Sequence, residues 1–286
     1  MKILVTGATG TIGSQVAAAL LDANAEVRVG LRDPSKGAAL RDRGAQVVRF
    51  DFEDEATFEG AFSGVERVFL LTPFVEEFVP AVERAAQAAK AAGVQFIARL
   101  SALGADAEAT EGLARQHGQA EVAIKDAGMD WTVIRPTFFQ DNVLTYQGAA
   151  VAEGSFYGAS NGGQTAYVSS RDVAEVAAKV LLEPSSHAGK TYTVTGPQAV
   201  SDAELAAALS KTAGRPIAYV DLSGEQLLQG QLDAGTPRWM AEHLVALEGV
   251  KAAGWAAEAT TTVQDVLGRP AEPIHAFTER YGSRLR

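Results

Sequence analysis

Six short runs rich in β-branched and aromatic residues recur through the first half of this chain: KILVT (2–6), EVRVGL (26–31), QVVRF (46–50), RVFLL (67–71), QFIARL (95–100) and WTVIR (131–135). Between them lie TIGSQVAAALLDAN, PSKGAALRDRG, DEATFEGAFSG, FVPAVERAAQAAKAAG and TEGLARQHGQAEVAIKDAG. These segments space apolar residues at helix periodicity, and most close on Gly or Asn, which tolerate the backbone that ends a helix. Strands that alternate with helices at this period form βαβ units, and their strands lie parallel. Several of the runs are almost wholly apolar, as strands become when helices cover both sheet faces. The expected fold class is therefore α/β, a Rossmann-type doubly wound parallel sheet.

The turn between the first strand and the first helix is the most chemically specific stretch. In ILVTGATGTIGSQVAAAL, glycine stands at 7, 10 and 13. The first glycine permits the tight turn, the second lets backbone N–H groups approach a phosphate, and the third lets helix and strand pack closely. The start of the helix then faces the diphosphate with its partial positive charge. The residues expected to hold a dinucleotide here are Gly7, Thr9, Gly10, Thr11, Ile12 and Gly13. The alternative is a glycine-rich turn that only packs, but its place between a strand and an amphipathic helix favours binding.

The next strand ends constrain which dinucleotide fits. NAD binders of this fold usually carry an acid after the second strand, whereas here Arg32 precedes Asp33 and Lys36 follows. A guanidinium suits a ribose 2′-phosphate through charge-assisted, bidentate bonds. NADPH is the expected cofactor, with NADH possible through Asp33. After the third strand, Asp51 is placed to accept from the adenine amino group, with Phe52 beside it; a plain helix cap is the simpler reading of Asp51. After the fourth, Leu71 and Thr72 are expected along the ribose side.

Beyond Arg135 the alternation loosens. PTFFQDNVLTYQ (136–147) is aromatic and has no strand period, QTAYVSSRDVAEVAAKVLLEP (164–184) reads as a strand, a Ser cap and a helix, and GKTYTVTG (189–196) as a further strand. SDAELAAALSKTAG reads as a capped helix, followed by a strand and two more helices. The expected division is a dinucleotide-binding domain over 1–150, with returns at about 164–196 packing onto it, and a smaller α+β lobe over 151–286 that caps the substrate. A cofactor is expected between them.

Composition narrows the function classes. The net charge of −10 argues against a nucleic-acid surface, which needs a basic stripe. With no cysteine there is no disulfide scaffold, no thiolate nucleophile and no Cys–zinc or Cys-ligated iron–sulfur site. The start MKILVTG lacks the length and cleavage pattern of a signal peptide, and no apolar run reaches the roughly 20 residues that span a bilayer. A cytoplasmic protein, monomer or homodimer, with no membrane partner is expected.

The segments TGATGTIG, LRD, FDFED, LSALGA and VIRPTFF together resemble the NmrA-like atypical short-chain dehydrogenase/reductases, and YVSSRDVAEVAAKVLLEP and GKTYTVTGPQAVSDAELAAAL extend the likeness over nearly the whole chain. That group includes type-2 NAD(P)H:quinone oxidoreductases, triphenylmethane dye reductases and flavin-independent NAD(P)H azoreductases, as well as NmrA, a regulator that discriminates oxidised from reduced dinucleotides. Ordinary short-chain reductases carry Tyr-x-x-x-Lys on the helix after the fifth strand, where the tyrosine serves as the acid or base. This chain departs from that pattern: His117 and Glu121 of HGQAE stand where the pair would be. Ser101 keeps the place of the usual serine, as a candidate for both catalysis and cofactor contact. His117 is a candidate proton donor or substrate partner, or else a helix-surface histidine loosely paired with Glu121. Two ligands are too few for zinc, so no metal is expected.

Without a dedicated tyrosine acid, suitable acceptors take hydride into a conjugated plane: azo compounds, quinones and triarylmethane dyes. The resemblance thus implies an NAD(P)H-dependent, flavin-independent reductase of a small aromatic substrate. Its alternative is a dinucleotide redox sensor without catalysis. A flat slot beside the nicotinamide is expected from Phe74, Phe138, Phe139, Tyr157 and Trp239, with His117 and Asn142 as polar partners. RPTFF leaves the carboxyl end of a strand, where ligands sit in open α/β folds.

Overall fold

The computed structural model describes residues 1–282. In chain order the elements begin β1 (Lys2–Thr6), α1 (Thr11–Asp22), β2 (Glu26–Leu31), α2 (Ala38–Asp42), β3 (Gln46–Arg49), α3 (Phe58–Phe62), β4 (Arg67–Leu70), α4 (Val79–Ala91), β5 (Phe96–Leu100), α5 (Gly112–Asp126) and β6 (Asp130–Pro136). They continue with α6 (Asn142–Ala152), β7 (Ser155–Gly158), β8 (Gln164–Thr165), α7 (Ser170–Leu182), α8 (Pro184–His187), β9 (Lys190–Val194), β10 (Val200–Ser201), α9 (Asp202–Ala213) and β11 (Ala218–Asp221). The helices α10 (Gly224–Asp233), α11 (Arg238–Ala252), α12 (Thr262–Leu267) and α13 (Ile274–Arg280) follow.

One seven-stranded sheet runs in the order β3-β2-β1-β4-β5-β6-β9. The pairs from β3 through to β6 are all parallel, so the carboxyl ends of these six strands share one edge. Leu4, Val68, Leu70 and Ile97 pack on one face against the stripe Ala81, Val82, Ala85, Ala86 and Ala89 of α4 and against Ala120 and Ile124 of α5. That stripe repeats every three or four residues, the period that puts side chains on one helical face. α1 packs against α7, and Gln15 Nε2 donates to Ser170 Oγ at 2.8 Å. The Rossmann-type expectation is met.

Two compact units divide the chain: Met1–Pro136 with Ser170–Thr193, and Thr137–Ser169 with the residues from Val194 onward. The boundary expected at residue 150 falls inside α6, because the chain leaves the first unit as soon as β6 ends at Pro136. There Val168 N donates to Phe138 O and Gln140 N to Val168 O, which ties the aromatic segment to the second unit. α7 and most of β9 return to the first.

In the second unit β7 pairs in parallel with β11, and β8 pairs antiparallel with β10. The capping box Ser201/Glu204 starts α9 by satisfying two orphan N–H groups reciprocally. Its core gathers Val143, Val151, Phe156, Tyr167, Leu205 and Leu209, with Phe138 packed against it. A buried ionic cluster lies close by: Lys251 Nζ sits 2.7 Å from Glu248 and 3.4 Å from Asp202, over the rings of Phe138 and Tyr167. Among the described residues no helix is long and apolar enough to cross a membrane.

Candidate dinucleotide edge and active site

β1 is wholly buried from Ile3 to Thr6, and Thr6 Oγ1 clips its end to β4 by accepting from Leu71 N at 2.8 Å and donating to Leu71 O at 2.9 Å. Gly7 then takes φ +64°, the left-handed region that glycine enters without penalty. Gly10 N donates to Gly7 O at 3.0 Å and closes the turn. Gly13 presses against it: a Cβ there would lie 2.3 Å from Gly7 O, closer than any side chain permits. The N-cap of α1 is Gly10, which has no side chain to cap the N–H groups of the first turn. Thr9, Gly10 and Thr11 are exposed, while Ile12 and Gly13 are buried. This tight, uncapped cradle fits a diphosphate.

Arg32 and Lys36 are exposed beyond β2. Asp33 turns inward on its own loop, its Oδ1 accepting from Ser35 N at 3.0 Å and Ser35 Oγ at 2.6 Å. These two bonds, the hydroxyl's first, hold the Asp33 carboxyl below its ordinary range. One oxygen of the acid that could have read a ribose is thus committed locally, while the neighbouring guanidinium stays in solvent. Asp51 Oδ1 accepts from Glu53 N at 3.2 Å and its backbone N–H donates to Thr57 Oγ1 at 3.0 Å, a local turn and not a helix cap.

Phe52 and Leu71 both make packing contacts in the first unit. Phe52 is buried edge-on against Phe50, with ring centroids 4.9 Å apart, inside a cluster with Phe58 and Phe62. Burial of the ring favours the core over a ligand, because the apolar area gained there is large. The Leu71 side chain lies over Gly7, where an added Cβ would meet its Cδ2 at 2.9 Å. It therefore braces the glycine turn. Thr72 beside it is half-buried and Phe74 is 46% exposed.

At the ends of β5 and β6 a charged network closes around Glu121. This carboxylate is 1% exposed. Its Oε1 accepts from Ser101 Oγ at 2.6 Å and Arg135 Nε at 2.8 Å, and its Oε2 from Arg135 Nη2 at 2.7 Å; Lys125 Nζ lies 3.4 Å away. The fork of Arg135 matches the carboxylate bidentately. Burial would raise the Glu121 carboxyl, but the hydrogen bonds from Arg135 and Ser101, with the charges of Arg135 and Lys125, outweigh it and leave the group below the usual range. Glu121 is ionised at neutral pH.

Arg99 lies behind this network with no exposed surface. Its Nη1 donates to Leu100 O at 2.8 Å and its guanidinium sits 5.6 Å from the Phe78 ring centroid, while Nε and Nη2 have no partner among the described residues. Burial pushes its pKa down to about 10, opposed by Glu121, so it stays charged at neutral pH. His117 packs on the same ring at 5.0 Å, half-buried, and its Nδ1 has no partner among the described residues. Burial first, then the Arg99 charge, drives its pKa down to about 3 against the pull of Glu121. The imidazole is neutral across the physiological range, and a neutral imidazole is a poor acid.

This shift carries a stability consequence. A histidine whose folded pKa lies below its unfolded value near 6.5 leaves the unfolded chain binding the extra proton as pH falls. Its stabilising contribution is complete above pH 6.5 and is lost progressively toward pH 3. The His117 imidazole resonances are expected to stay fixed between pH 8 and pH 5 in NMR titration, while Tm declines over the lower part of that range. A resonance titrating near pH 6.5 would contradict the assignment.

The remaining predicted residues lie in the second unit. Phe138 and Phe139 are half-buried, Phe138 beneath Lys251. Asn142 is exposed at the start of α6, with its N–H donating to Phe139 O. Tyr157 is 42% exposed and its hydroxyl accepts from Ser155 Oγ. Trp239 packs edge-on to His243 at 5.8 Å. Three polar residues escaped the sequence reading: Arg99, Arg135 and Gln140, whose fully buried side-chain amide has no partner among the described residues. Each left a faint signal, a charge or amide interrupting an apolar or aromatic run.

A doubly wound parallel sheet with an uncapped glycine turn at the end of its first strand defines a Rossmann-type protein. The chain belongs to the NmrA-like family, which it matches over residues 1–265. It is 36% identical over 281 residues to the NAD(P)H azoreductase of Xenophilus azovorans, covering 98% of each chain. Among solved structures it is similar to the NADPH-dependent quinone oxidoreductase of Escherichia coli complexed with NADPH, with TM-score 0.88 and 31% identity over 98% of this chain and 99% of that one. It also resembles the Citrobacter sp. triphenylmethane reductase complexed with NADP(H), with TM-score 0.85 and 26% identity over 99% and 100%.

Proposed function

We propose that this chain passes hydride from NADPH to a conjugated aromatic acceptor (an azo compound, a quinone or a triarylmethane dye) without a flavin. It is an NAD(P)H-dependent oxidoreductase. The observation that carries this reading is the cradle at residues 7–13, where Gly13 sits so close to Gly7 that only glycine fits and the first turn of α1 is left uncapped. The names of the relatives above 30% identity support a reductase over a dinucleotide sensor. The nicotinamide ring supplies the hydride when the dinucleotide is bound. The chain's own residues bind and orient: the N–H groups of residues 11–13, at the start of α1, hold the diphosphate, Arg32 and Lys36 take the 2′-phosphate, and Asp51 and Thr72 border the adenine and ribose.

A neutral His117 and an ionised Glu121 leave no strong acid at the ends of β5 and β6. Acceptors that delocalise the incoming charge suit such a site, with water supplying the proton afterwards. Phe74, exposed just past β4, is the stacking surface we assign in the first unit. The test is loss of NADPH absorbance on mixing with quinones, azo dyes and triarylmethane dyes, with and without added flavin. Turnover independent of flavin is expected. Oxidation of NADPH only after flavin is added would refute the mechanism, and no oxidation with any acceptor would refute the enzyme.

A further inference from the structure

We propose that Glu121 is a positioning residue: clamped by Arg135, it accepts the hydrogen bond of the Ser101 hydroxyl and so fixes Ser101 as a hydrogen-bond acceptor for an N–H or O–H donor of the bound dinucleotide. The inference rests on the dinucleotide reading above and goes beyond it in assigning Glu121, Arg99 and Arg135 a task.

The geometry allows one direction of donation. A carboxylate that accepts three hydrogen bonds, two from an arginine fork and one from a hydroxyl at 2.6 Å, has no proton to give back. Ser101 Oγ–H must donate, and a bond of that length to a charged acceptor is among the strong ones. The oxygen of Ser101 then keeps only its lone pairs for a ligand. Half-buried Arg135 at the end of β6, with Lys125, keeps Glu121 charged, and the wholly buried Arg99 of β5 interacts favourably with the same carboxylate, which makes the reverse polarity unfavourable. The serine can accept but cannot polarise a substrate carbonyl by donation.

The sheet puts this acceptor at a useful distance. β4 alone separates β1 from β5, so two strand spacings, about 10 Å, lie between the glycine cradle and the strand that Ser101 directly follows. That separation matches the span from a diphosphate to the far end of its attached nucleoside. The donors found there are ribose hydroxyls and the nicotinamide carboxamide N–H, and both need an acceptor.

A double-mutant cycle on NADPH binding, read by fluorescence of the reduced nicotinamide, tests the assignment. Ser101→Ala and Glu121→Gln are each expected to raise Kd about tenfold. The double variant is expected to be no weaker than the worse single one, because a residue that acts through another has nothing left to add. Ser101→Thr, which restores the hydroxyl, should recover most of the affinity. Should Glu121→Gln fail to fold with Arg135 unpaired, Glu121→Asp keeps the charge while withdrawing it from Ser101, and the same cycle applies. Wild-type affinity in Ser101→Ala, or losses that multiply to about a hundredfold, would overturn the proposal and leave the dinucleotide reading intact. Absence of NADPH binding to the wild-type protein would sink that reading itself.

Discussion

Gly10→Ala and Gly13→Ala are expected to abolish tight NADPH binding by different routes, and the difference is measurable. At Gly13 a methyl group would sit 2.3 Å from Gly7 O and 2.6 Å from Gly7 C, so the turn must open and helix must part from strand. Overpacking of this kind costs about 1–3 kcal/mol of stability, and the cradle is lost with the packing. Gly10 has φ −88°, which any residue adopts, and its nearest neighbour to an added methyl is Gly7 O at 3.4 Å. Gly10→Ala should therefore leave Tm nearly unchanged while its methyl stands where the phosphate approaches. Titration calorimetry should show affinity down by about a hundredfold in Gly13→Ala and at least about tenfold in Gly10→Ala, on the scale of one or two lost charge-assisted bonds. Unchanged affinity in both would remove the diphosphate from this turn.

The second large effect concerns which dinucleotide is chosen. Arg32 is exposed, while one oxygen of Asp33 is held by Ser35. Replacing Arg32 with Asp removes a bidentate phosphate partner and adds a like charge, so KM for NADPH should rise by about one to two orders of magnitude, with each charged hydrogen bond contributing about 1.5–3 kcal/mol. KM for NADH should change little or fall. Ser35→Ala is the milder companion: it removes the hydroxyl's bond to Asp33 Oδ1 and leaves the backbone one, so it loosens Asp33 toward a ribose hydroxyl and should improve NADH use slightly and alone. Steady-state kinetics with both cofactors decides, and unchanged KM for NADPH in Arg32→Asp would refute the 2′-phosphate assignment.

What could be read from the chain was local. The alternation of apolar runs with helical segments and the spacing of Gly7, Gly10 and Gly13 act within a few residues, so pattern alone reveals them. Side-chain direction at strand ends is not legible in the sequence: Phe52 turns into the cluster of Phe50, Phe58 and Phe62, and Leu71 lies over Gly7. The network around Glu121 is the least visible in the sequence because it joins residues far apart along the chain. His117 and Glu121 look paired by their spacing on one helix. Their real partners come from elsewhere: Phe78 from the loop before α4, and Ser101 and Arg135 from the ends of two strands. The division between the compact units falls at Pro136, and nothing in PTFFQD announces that Phe138 and Gln140 hydrogen-bond to Val168.

The most direct measurement follows the hydrogen itself. A triarylmethane cation accepts hydride at its central carbon, and the C–H bond formed there does not exchange with water. If the chain transfers hydride directly, NADPH carrying deuterium at the transferred position should yield a leuco dye with one deuterium, detected by mass spectrometry, and the label should survive added flavin-free buffer in ordinary water. A leuco dye without deuterium would mean that the hydrogen passed through an exchangeable carrier, and the account of flavin-independent transfer would fall.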